Sequence, residues 1–537
     1  MLRTLTIDLK KDCPAYVYLK RNTTGTRALR NTALFYLRNT MTGLRKSPEE
    51  RTKLETEVLH DVFTGIHMAN EAKGKRYRER MLRLRASGMH GMPVYGYIMG
   101  AVRDAKPLPC PDETHWHLSY AQLDAILKFT KNPSYYSCTS QVNQQAVKKT
   151  VQAWKSWLSA LSDWRGHPGK YRAKPKMPGY IRAKEATAHF TNQVAKIAVA
   201  GDGRLRLTFS TPRGWEKAPV LYLGPASLLK GKYVKLEVKP YHGKYRLLLT
   251  YEDRTEMPGR PDHPGRILGL DPGLDNFLAG VTNTGALPFL ISGKWLKSRN
   301  QWFNKERARL LSARTKGKDS RHSEKASRRL SALSRKREDT FRDFFYKAAH
   351  WVCRYSVRYR IEAIVIGHNE GQKQELPFRK KDNQNFVSIP VSRFLLCLQS
   401  VAARYGLPVI IREESYTSKA SLRDGDPIPT YGADDPKEGD TFSGKRVKRG
   451  LYRAGDGTEW NADLNGAGNI LRKEYPYAFD GKEPAASPIQ VITREQLCHA
   501  KKKAPAATYR REKSLISRLR HEERKERRRA CQEAFAA

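Results

Sequence analysis

Long apolar runs are what this sequence of 537 residues most clearly lacks. No stretch approaches the roughly 20 consecutive apolar residues that a membrane-spanning helix needs. The first residues, Met1 to Leu5, also lack the apolar core of a signal peptide. We therefore expect no membrane partner and no secretion.

Cysteine is scarce as well. The seven cysteines are scattered singly, and no two of them form a CxxC pair. This pattern indicates neither a disulfide framework nor a zinc cluster. It is typical of a reduced, cytoplasmic protein, and we expect no zinc.

Acidic residues are outnumbered by basic ones. The chain has 54 Asp and Glu against 100 Lys and Arg, which gives a formal net charge of +46. A surplus of this size requires a polyanion to neutralise it, and nucleic acid is the usual one. Hydrophobic residues make up 39% of the chain, enough to bury cores, and the length predicts two to four domains.

The first half of the chain changes periodicity twice. Residues 5–9 and 15–19 have the pattern of short strands, residues 25–181 are helical and basic, and residues 182–260 return to strand alternation. Because residues 1–24 have no sheet of their own, we expect them to complete a small β-domain with residues 182–260. The helical domain between them spans 25–181.

A run of apolar residues, Ile267 to Leu270, opens the second half and ends in Asp271. Such a run is typical of a strand buried on both faces, and open α/β sheets place their chemistry where such strands end. An Asp that only caps the following Pro-Gly turn would fit equally well. Further strands at 361–367 and 407–411, with a helix over 388–405 between them, predict a parallel crossover unit.

The remaining segments are predicted from composition. Helices over 296–360 carry apolar residues, Trp302 among them, along one side and phosphate-facing Lys and Arg along the other. Residues 415–460 form an inserted lobe, and Asp463 begins a helix of small residues. The basic tail over 481–537 includes a predicted helix at 508–529. Asp271 and Asp463 are suited to two-metal phosphodiester hydrolysis, which needs acidic side chains clustered on a rigid sheet.

Four motifs in this half resemble a known family. ILGLDPG (267–273), IVIGHNEGQKQ (364–374), EESYTSKAS (413–421) and NADLNGAGNI (461–470) are similar, in family order, to the RuvC-type nuclease core of TnpB and of compact type V CRISPR effectors. The resemblance implies a multidomain α+β protein. Its parts are a helical recognition lobe (25–181), a β-barrel wedge domain (1–24 and 182–260), and an RNase H-like (RuvC) α/β nuclease domain (261–414 and 461–480) with an inserted target-binding lobe (415–460).

By position, Asp271 and Asp463 match the first and last catalytic Asp of the family. The middle position departs, because Gly367 stands where a Glu is common. Three residues can replace it. We favour Glu414, then Glu413, then Glu370, because neighbouring strands lie about 4.8 Å apart and a Glu from the next strand end can reach the same ion. Otherwise the site is weakened or inactive.

The resemblance also implies which residues bind nucleic acid. CTSQVNQQAVKK (138–149) and HFTNQ (189–193) resemble segments that read a short duplex motif, which assigns Ser140, Gln144, Lys148, Thr191 and Asn192 to target recognition. The inserted lobe has no cysteines and must fold without the family's zinc. Its basic segment 442–453 predicts a hairpin in which Lys445 and Arg446 contact phosphates, and Trp302 and Tyr452 are candidates for base stacking.

Together these features predict a Mg²⁺-dependent (or Mn²⁺-dependent) RNA-guided DNA endonuclease of the prokaryotic cytoplasm, acting as a monomer. Its predicted partners are a guide RNA and a target DNA, both as duplex and as displaced single strand. Asp271, Glu414 and Asp463 would hold the metal. Two alternatives remain: a guided DNA-binding repressor with an impaired nuclease, and a plain RNA-binding component of a ribonucleoprotein.

Overall fold

A computed structural model describes residues 1–10, 12–88, 92–211, 217–256, 258–316, 327–369, 389–430, 442–485 and 487–499. The chain divides into two compact units, Met1–Arg254 and Thr255–Ala537. Both units combine helices with sheets, so the predicted multidomain α+β class is confirmed. None of the helices in the described ranges is both long enough and apolar enough to cross a membrane.

The helical part of the first unit begins earlier than the predicted residue 25, because α1 starts at Tyr16. Two of its helices begin with capping boxes, Thr52 with Glu55 and Ser119 with Gln122, which satisfy backbone N–H groups that the first turn leaves free. The helices are α1 (Tyr16–Leu44), α2 (Lys53–Ala86), α3 (Met92–Ala105), α4 (Tyr120–Phe129) and α5 (Ser140–Gly166). They enclose a core that includes Leu29, Val62, Ile126 and Trp154.

The predicted strand at 15–19 is wrong, because these residues begin helix α1. Aromatic and β-branched residues favour a strand locally, but burial here follows a helical spacing. Ala15, Tyr18, Leu19 and Asn22 are buried, three or four residues apart, whereas Val17 is 67% exposed. Packing of this helical face against the β-domain overrides the local preference.

The β-part of the first unit contains two sheets around a shared core. Strand 2–9 does pair with the later strands, which confirms that the N-terminal segment completes this sheet. The strands are β1 (Leu2–Leu9), β2 (Ala188–Thr191), β3 (Ala195–Val199), β4 (Arg204–Phe209), β5 (Val220–Pro225), β6 (Lys232–Tyr241) and β7 (Lys244–Glu252). The two sheets have the strand orders β1-β7-β6-β2 and β3-β4-β5.

The second unit is built on a six-stranded mixed sheet of order β12-β11-β8-β9-β10-β16. β8, β11 and β12 are parallel to one another, and β9 is antiparallel to both β8 and β10. This is the strand arrangement of an RNase H-like fold. The strands are β8 (Ile267–Asp271), β9 (Asn276–Thr282), β10 (Phe289–Ser292), β11 (Ala363–Gly367), β12 (Val409–Arg412) and β16 (Gln490–Ile492).

Helices cover both faces of this sheet. Leu268 and Leu270 on β8 face the core formed with α7 and α8, while Ile267 faces Ile470 and Leu471 on α9. The central strands are therefore apolar on both faces, as the continuous apolar runs predict. The helices are α6 (Lys294–Thr315), α7 (Arg328–Arg358), α8 (Val391–Ala402), α9 (Ala462–Glu474) and α10 (Arg494–His499).

The inserted lobe contributes a small three-stranded antiparallel sheet, β13 (Lys445–Lys448), β14 (Leu451–Arg453) and β15 (Glu459–Asn461). β15 leads directly into α9, so this sheet is attached to the helix that carries Asp463. The predicted helix at 508–529 lies outside the described residues.

Candidate active site

The first predicted ligand, Asp271, is the last residue of β8 and lies at the carboxyl edge of the parallel strands. Burial, the nearby carboxylate of Glu414 and then that of Asp463 hold the pKa of Asp271 well above its usual range, although Arg446 counteracts them. Helix α9 comes very close at this point. A Cβ on Gly466 would lie 2.7 Å from Asp271 Oδ2, so only glycine leaves room for the carboxylate.

Glu414 follows β12 and places its carboxylate over the end of the neighbouring strand. A Cβ on Gly367 would lie 2.6 Å from Glu414 Oε2. The carboxylate thus occupies the space that a side chain at position 367 would otherwise fill. Burial and the adjacent Glu413 raise the pKa of Glu414 to about 7. The backbone N–H of Glu414 donates to Asn369 Oδ1 at 2.8 Å, which fixes the strand end.

Glu413 points to a different partner. It forms an ion pair with the nearly buried Lys473, 2.5 Å from Nζ to Oε2, and accepts a hydrogen bond from the Ser415 backbone N–H. Burial alone would raise its pKa, but these contacts outweigh burial and lower the pKa of Glu413. The Glu413 carboxylate is therefore paired with Lys473. Glu370, the third candidate, lies outside the described residues.

Asp463 lies in the first turn of α9, which Asn461 caps by accepting from the backbone N–H groups of Asp463 and Leu464. Its own carboxylate accepts a hydrogen bond from Asn276 Nδ2 at 2.7 Å and lies 3.7 Å from Arg446 Nη2. The sequence motifs did not predict a role for Asn276. Its place at the start of β9, one turn after Asp271, was the available signal.

The three carboxylates approach one another without forming a closed ligand set. Across the part of the chain that the structure describes, no group of three His, Cys, Asp or Glu side chains is arranged to hold a metal ion. The donor chemistry does fit a hard divalent cation, because Asp271 and Glu414 are carboxylates whose pKa values are raised first by burial and then by neighbouring acids. Asp463 would have to exchange its contact with Arg446 for the cation.

The predicted basic hairpin exists, as β13 and β14 with a turn at Gly450. Lys445 and Arg446 are exposed on β13, as expected for residues that contact phosphates. Arg449, at the turn, forms an ion pair with Asp275 at 2.5 Å, a contact that the sequence reading missed. The expected stacking role of Tyr452 is wrong, because its ring is fully buried and its hydroxyl donates to the Lys419 carbonyl.

In the first unit, the residues predicted to read a duplex motif lie on α5 and at the end of β2. Ser140 and Lys148 are exposed and Gln144 is half-buried, all on one face of α5; Thr191 ends β2, and Asn192 follows it, exposed. Gln141 joins the two segments. It accepts from the Thr191 hydroxyl and donates to Gln193 Oε1 at 2.6 Å. The two family-like segments are therefore neighbours in the first unit.

The comparisons with known proteins agree with the sequence motifs. Residues 249–372, which include β8, β9 and β11, match the family model OrfB_IS605, described as a probable transposase. This segment is similar to the TnpB transposases. The resemblance read from the motifs is thereby confirmed for residues 249–372, a segment that contains Asp271 and Gly367 but neither Glu414 nor Asp463. No curated protein matches the chain.

Several solved structures are distantly similar. A Cas12f1 protein, solved in complex with a single-guide RNA and target DNA, is 12% identical over 88% of this chain and 98% of that chain, with a TM-score of 0.42. C2c1 of Alicyclobacillus acidoterrestris with single-guide RNA is 9% identical over 88% of both chains, with a TM-score of 0.37. With identities and TM-scores this low, these structures assign no roles to individual residues of this chain.

Glu413→Gln is expected to destabilise the fold and leave the chemistry in place. It would leave the ammonium of Lys473, whose side chain is 3% exposed, without its carboxylate. Removing the carboxylate partner of a buried donor costs about 1–3 kcal/mol, and the Lys473 ammonium keeps its contacts with oxygens of Ser415 and Pro429. Thermal unfolding should show the loss, while cleavage per folded molecule stays within about threefold of the unmodified protein. A loss of cleavage equal to that of Glu414→Gln would contradict this assignment.

Proposed function

We propose that this chain is an RNA-guided DNA endonuclease that hydrolyses phosphodiester bonds of guide-complementary DNA with divalent metal, Mg²⁺ or Mn²⁺. The observation that carries the proposal is the placement of Glu414. Its carboxylate lies against Gly367 and raises the pKa of Asp271, so a carboxylate from β12 reaches the place where the family commonly has a Glu after β11.

The proposed ligands are Asp271, Glu414 and Asp463. A bound divalent cation would supply water activation and stabilisation of the departing oxygen. The strand ends hold Asp271 and Glu414 rigidly, and Asn276 orients Asp463 through its hydrogen bond. Arg446, beside these acids, would bind the negative phosphate of the DNA and at the same time leave Asp463 free for the metal.

The proposed partners are a guide RNA and target DNA, and the net charge of +46 supports both. In such a protein, base pairing selects the sequence and the protein reads a short adjacent motif. We assign that reading to Ser140, Gln144, Lys148, Thr191 and Asn192, whose amide, hydroxyl and ammonium groups suit contacts with base edges. The protein would act as a monomer in the prokaryotic cytoplasm.

The decisive experiment uses the full chain with the RNA that copurifies with it. That RNA is sequenced, and a duplex library containing its complement, flanked by randomised bases, is incubated with the ribonucleoprotein and Mg²⁺. We expect cleavage of the matched duplexes only, with enrichment of one flanking motif, and none in EDTA. A duplex without the match is the control for non-specific nuclease.

A guided DNA binder with an impaired nuclease is the second candidate. The contact between Asp463 and Arg446, together with the lack of a closed ligand set among the described residues, favours it. Tight, guide-dependent binding without cleavage in either Mg²⁺ or Mn²⁺ would establish this candidate and overturn the endonuclease. Copurified RNA that directs no DNA binding at all would overturn both and favour a plain RNA-binding component.

A further inference from the structure

Helices α6 and α7 present an aromatic side chain to solvent that the proposed chemistry does not use. Trp302 on α6 is 45% exposed, and among the tryptophans that the structure describes it is the single exposed one. The sequence reading placed it on the apolar side of this stretch with Leu330, Leu333 and Phe341, which are buried. Trp302 departs from that expectation.

Two cations flank the Trp302 ring. The guanidinium of Arg299 lies 5.9 Å from the ring centroid and the ammonium of Lys336 lies 5.7 Å from it. Both side chains are exposed, and neither forms an ion pair within the described ranges. Both cations lie over the ring, and their free positive charge toward solvent makes the site complementary to an aromatic ligand attached to an anion.

The Trp302 ring borders a small cavity that Phe303, Arg337 and Phe341 also line. Arg337 lies between the rings of Phe303 and Phe341, at 5.0 and 4.5 Å, and donates to Asn300 Oδ1 at 2.9 Å. The cavity beside Trp302 has a volume of only about 20 Å³, roughly the space of one water molecule. A small molecule could not be enclosed there, so a ligand must lie flat on the exposed ring.

Trp295, on the same helix, shows what a structural tryptophan looks like here. Its ring packs parallel to Phe344 at 6.3 Å and borders the main core. Trp302 has no ring contact of this kind among the described residues. α6 buries only Leu296 and Asn300, and it carries seven Lys and Arg against the single acid Glu306. The exposed side of α6 is therefore basic around the exposed ring of Trp302.

We propose that Trp302, Arg299 and Lys336 form a stacking site for one unpaired nucleobase, with the two cations binding the adjoining phosphates. The site lies close to the carboxylates along the chain. Lys297, five residues before Trp302, binds Asp275 in the turn that follows Asp271, and five helical residues rise about 7.5 Å. Trp302 also points to another side of α6 than Lys297, about 140° around the helix, so a single strand would reach it by passing around this helix. This inference rests on the proposed function.

Binding of single strands by the full chain tests the site, with a DNA oligonucleotide and an RNA oligonucleotide of about 20 nucleotides each, longer than a single stacking site requires. Trp302→Ala should weaken binding about tenfold, and Trp302→Phe should restore most of it, because stacking is worth about that factor per base. Arg299→Ala and Lys336→Ala should each weaken binding, and each should reduce the slope of log K against log salt concentration by about 0.7 in magnitude. Trp302→Ala should leave that slope unchanged.

An oligonucleotide with abasic sites separates stacking from phosphate binding. Trp302→Ala should have no effect on its affinity, and Tyr346→Ala, which removes an exposed ring elsewhere on α7, should affect neither probe. Repeating the assay with the RNA-loaded protein identifies the source of the base. An effect that persists on DNA assigns the site to a DNA strand, and one that disappears assigns it to the guide.

The outcomes are distinguishable from those of the proposed function. If the unmodified chain binds no nucleic acid, the proposed function fails. If it binds, but Trp302→Ala matches the unmodified chain on the intact oligonucleotide, the stacking site is wrong and the proposed function stands. An equal loss on the abasic probe also overturns stacking, and circular dichroism of Trp302→Phe checks that the helices remain folded.

Discussion

Glu414→Gln is expected to lower guided DNA cleavage at least about 10³-fold while leaving DNA binding intact. The amide keeps the shape of the side chain and its packing over Gly367 but removes one metal-binding negative charge. A cation supplies several kcal/mol of transition-state stabilisation, and each 1.36 kcal/mol is a factor of ten in rate. Asp271→Asn and Asp463→Asn should produce losses of similar size, measured on matched duplex under single-turnover conditions.

The same substitution should stabilise the metal-free protein at high pH. The pKa of Glu414 is about 7 in the folded protein and its ordinary value is 4.5. Below pH 4.5 the group is protonated in both states and costs nothing. Between the two pKa values the unfolded state releases the proton first, so stability falls as pH rises, and above 7 the cost is complete. The free-energy cost of an ionised Glu414 in the folded protein is about 1 kcal/mol, because partial exposure to water reduces it.

Thermal unfolding in EDTA at about pH 4 and about pH 8 checks this prediction. Glu414→Gln should have a higher melting temperature than the unmodified protein at about pH 8, and the two should be equal at about pH 4. Glu413→Gln is the matched control, because its carboxylate has a lowered pKa and a Lys473 partner, and it should lose stability at high pH. Full cleavage by Glu414→Gln would show that the middle carboxylate comes from elsewhere. Loss of both stability and DNA binding would show that the substitution disrupts the fold.

Gly269→Ala is expected to have the largest effect on stability. Gly269 lies in the middle of β8, where α9 crosses the sheet, and a Cβ there would lie 2.3 Å from the Ala467 carbonyl oxygen and 2.8 Å from Leu471 Cβ. A backbone atom cannot rotate away, so helix and strand must separate. Overpacking of this kind costs about 3 kcal/mol, which lowers the melting temperature by roughly 5–10 °C.

Cleavage should suffer beyond the loss of folded protein. β8 carries Asp271 and α9 carries Asp463, so separating them moves two proposed ligands apart, and a displacement of about 1 Å can cost about 10²-fold in rate. Gly265→Ala is the control, since a Cβ there would come no closer than 4.0 Å to Glu362. Differential scanning calorimetry and single-turnover cleavage measure the two effects. A Gly269→Ala protein as stable as Gly265→Ala would contradict the close packing of α9 on β8.

Much of the second unit could be predicted because its signals are local. Continuous apolar runs identify β8, β9 and β11, because a strand buried on both faces does not alternate apolar with polar residues. Asn461 before a run of small residues marks the start of α9. The error at residues 15–19 has the opposite origin. There the local preference of Tyr and Val for strands was overridden by packing of a helical face on the β-domain.

Net charge and periodicity are properties of the chain alone, so the sequence predicts a polyanionic partner, the RNase H-like order of elements and the two aspartates at element ends. Only the packing of the folded chain distinguishes the surroundings of Glu413 from those of Glu414. Two adjacent carboxylates look equivalent in sequence, but successive residues at a strand end point to opposite sides. One meets Lys473, and the other lies over Gly367 beside Asp271. Packing also separates the two aromatic candidates, because neighbouring elements bury Tyr452 and leave Trp302 in contact with water.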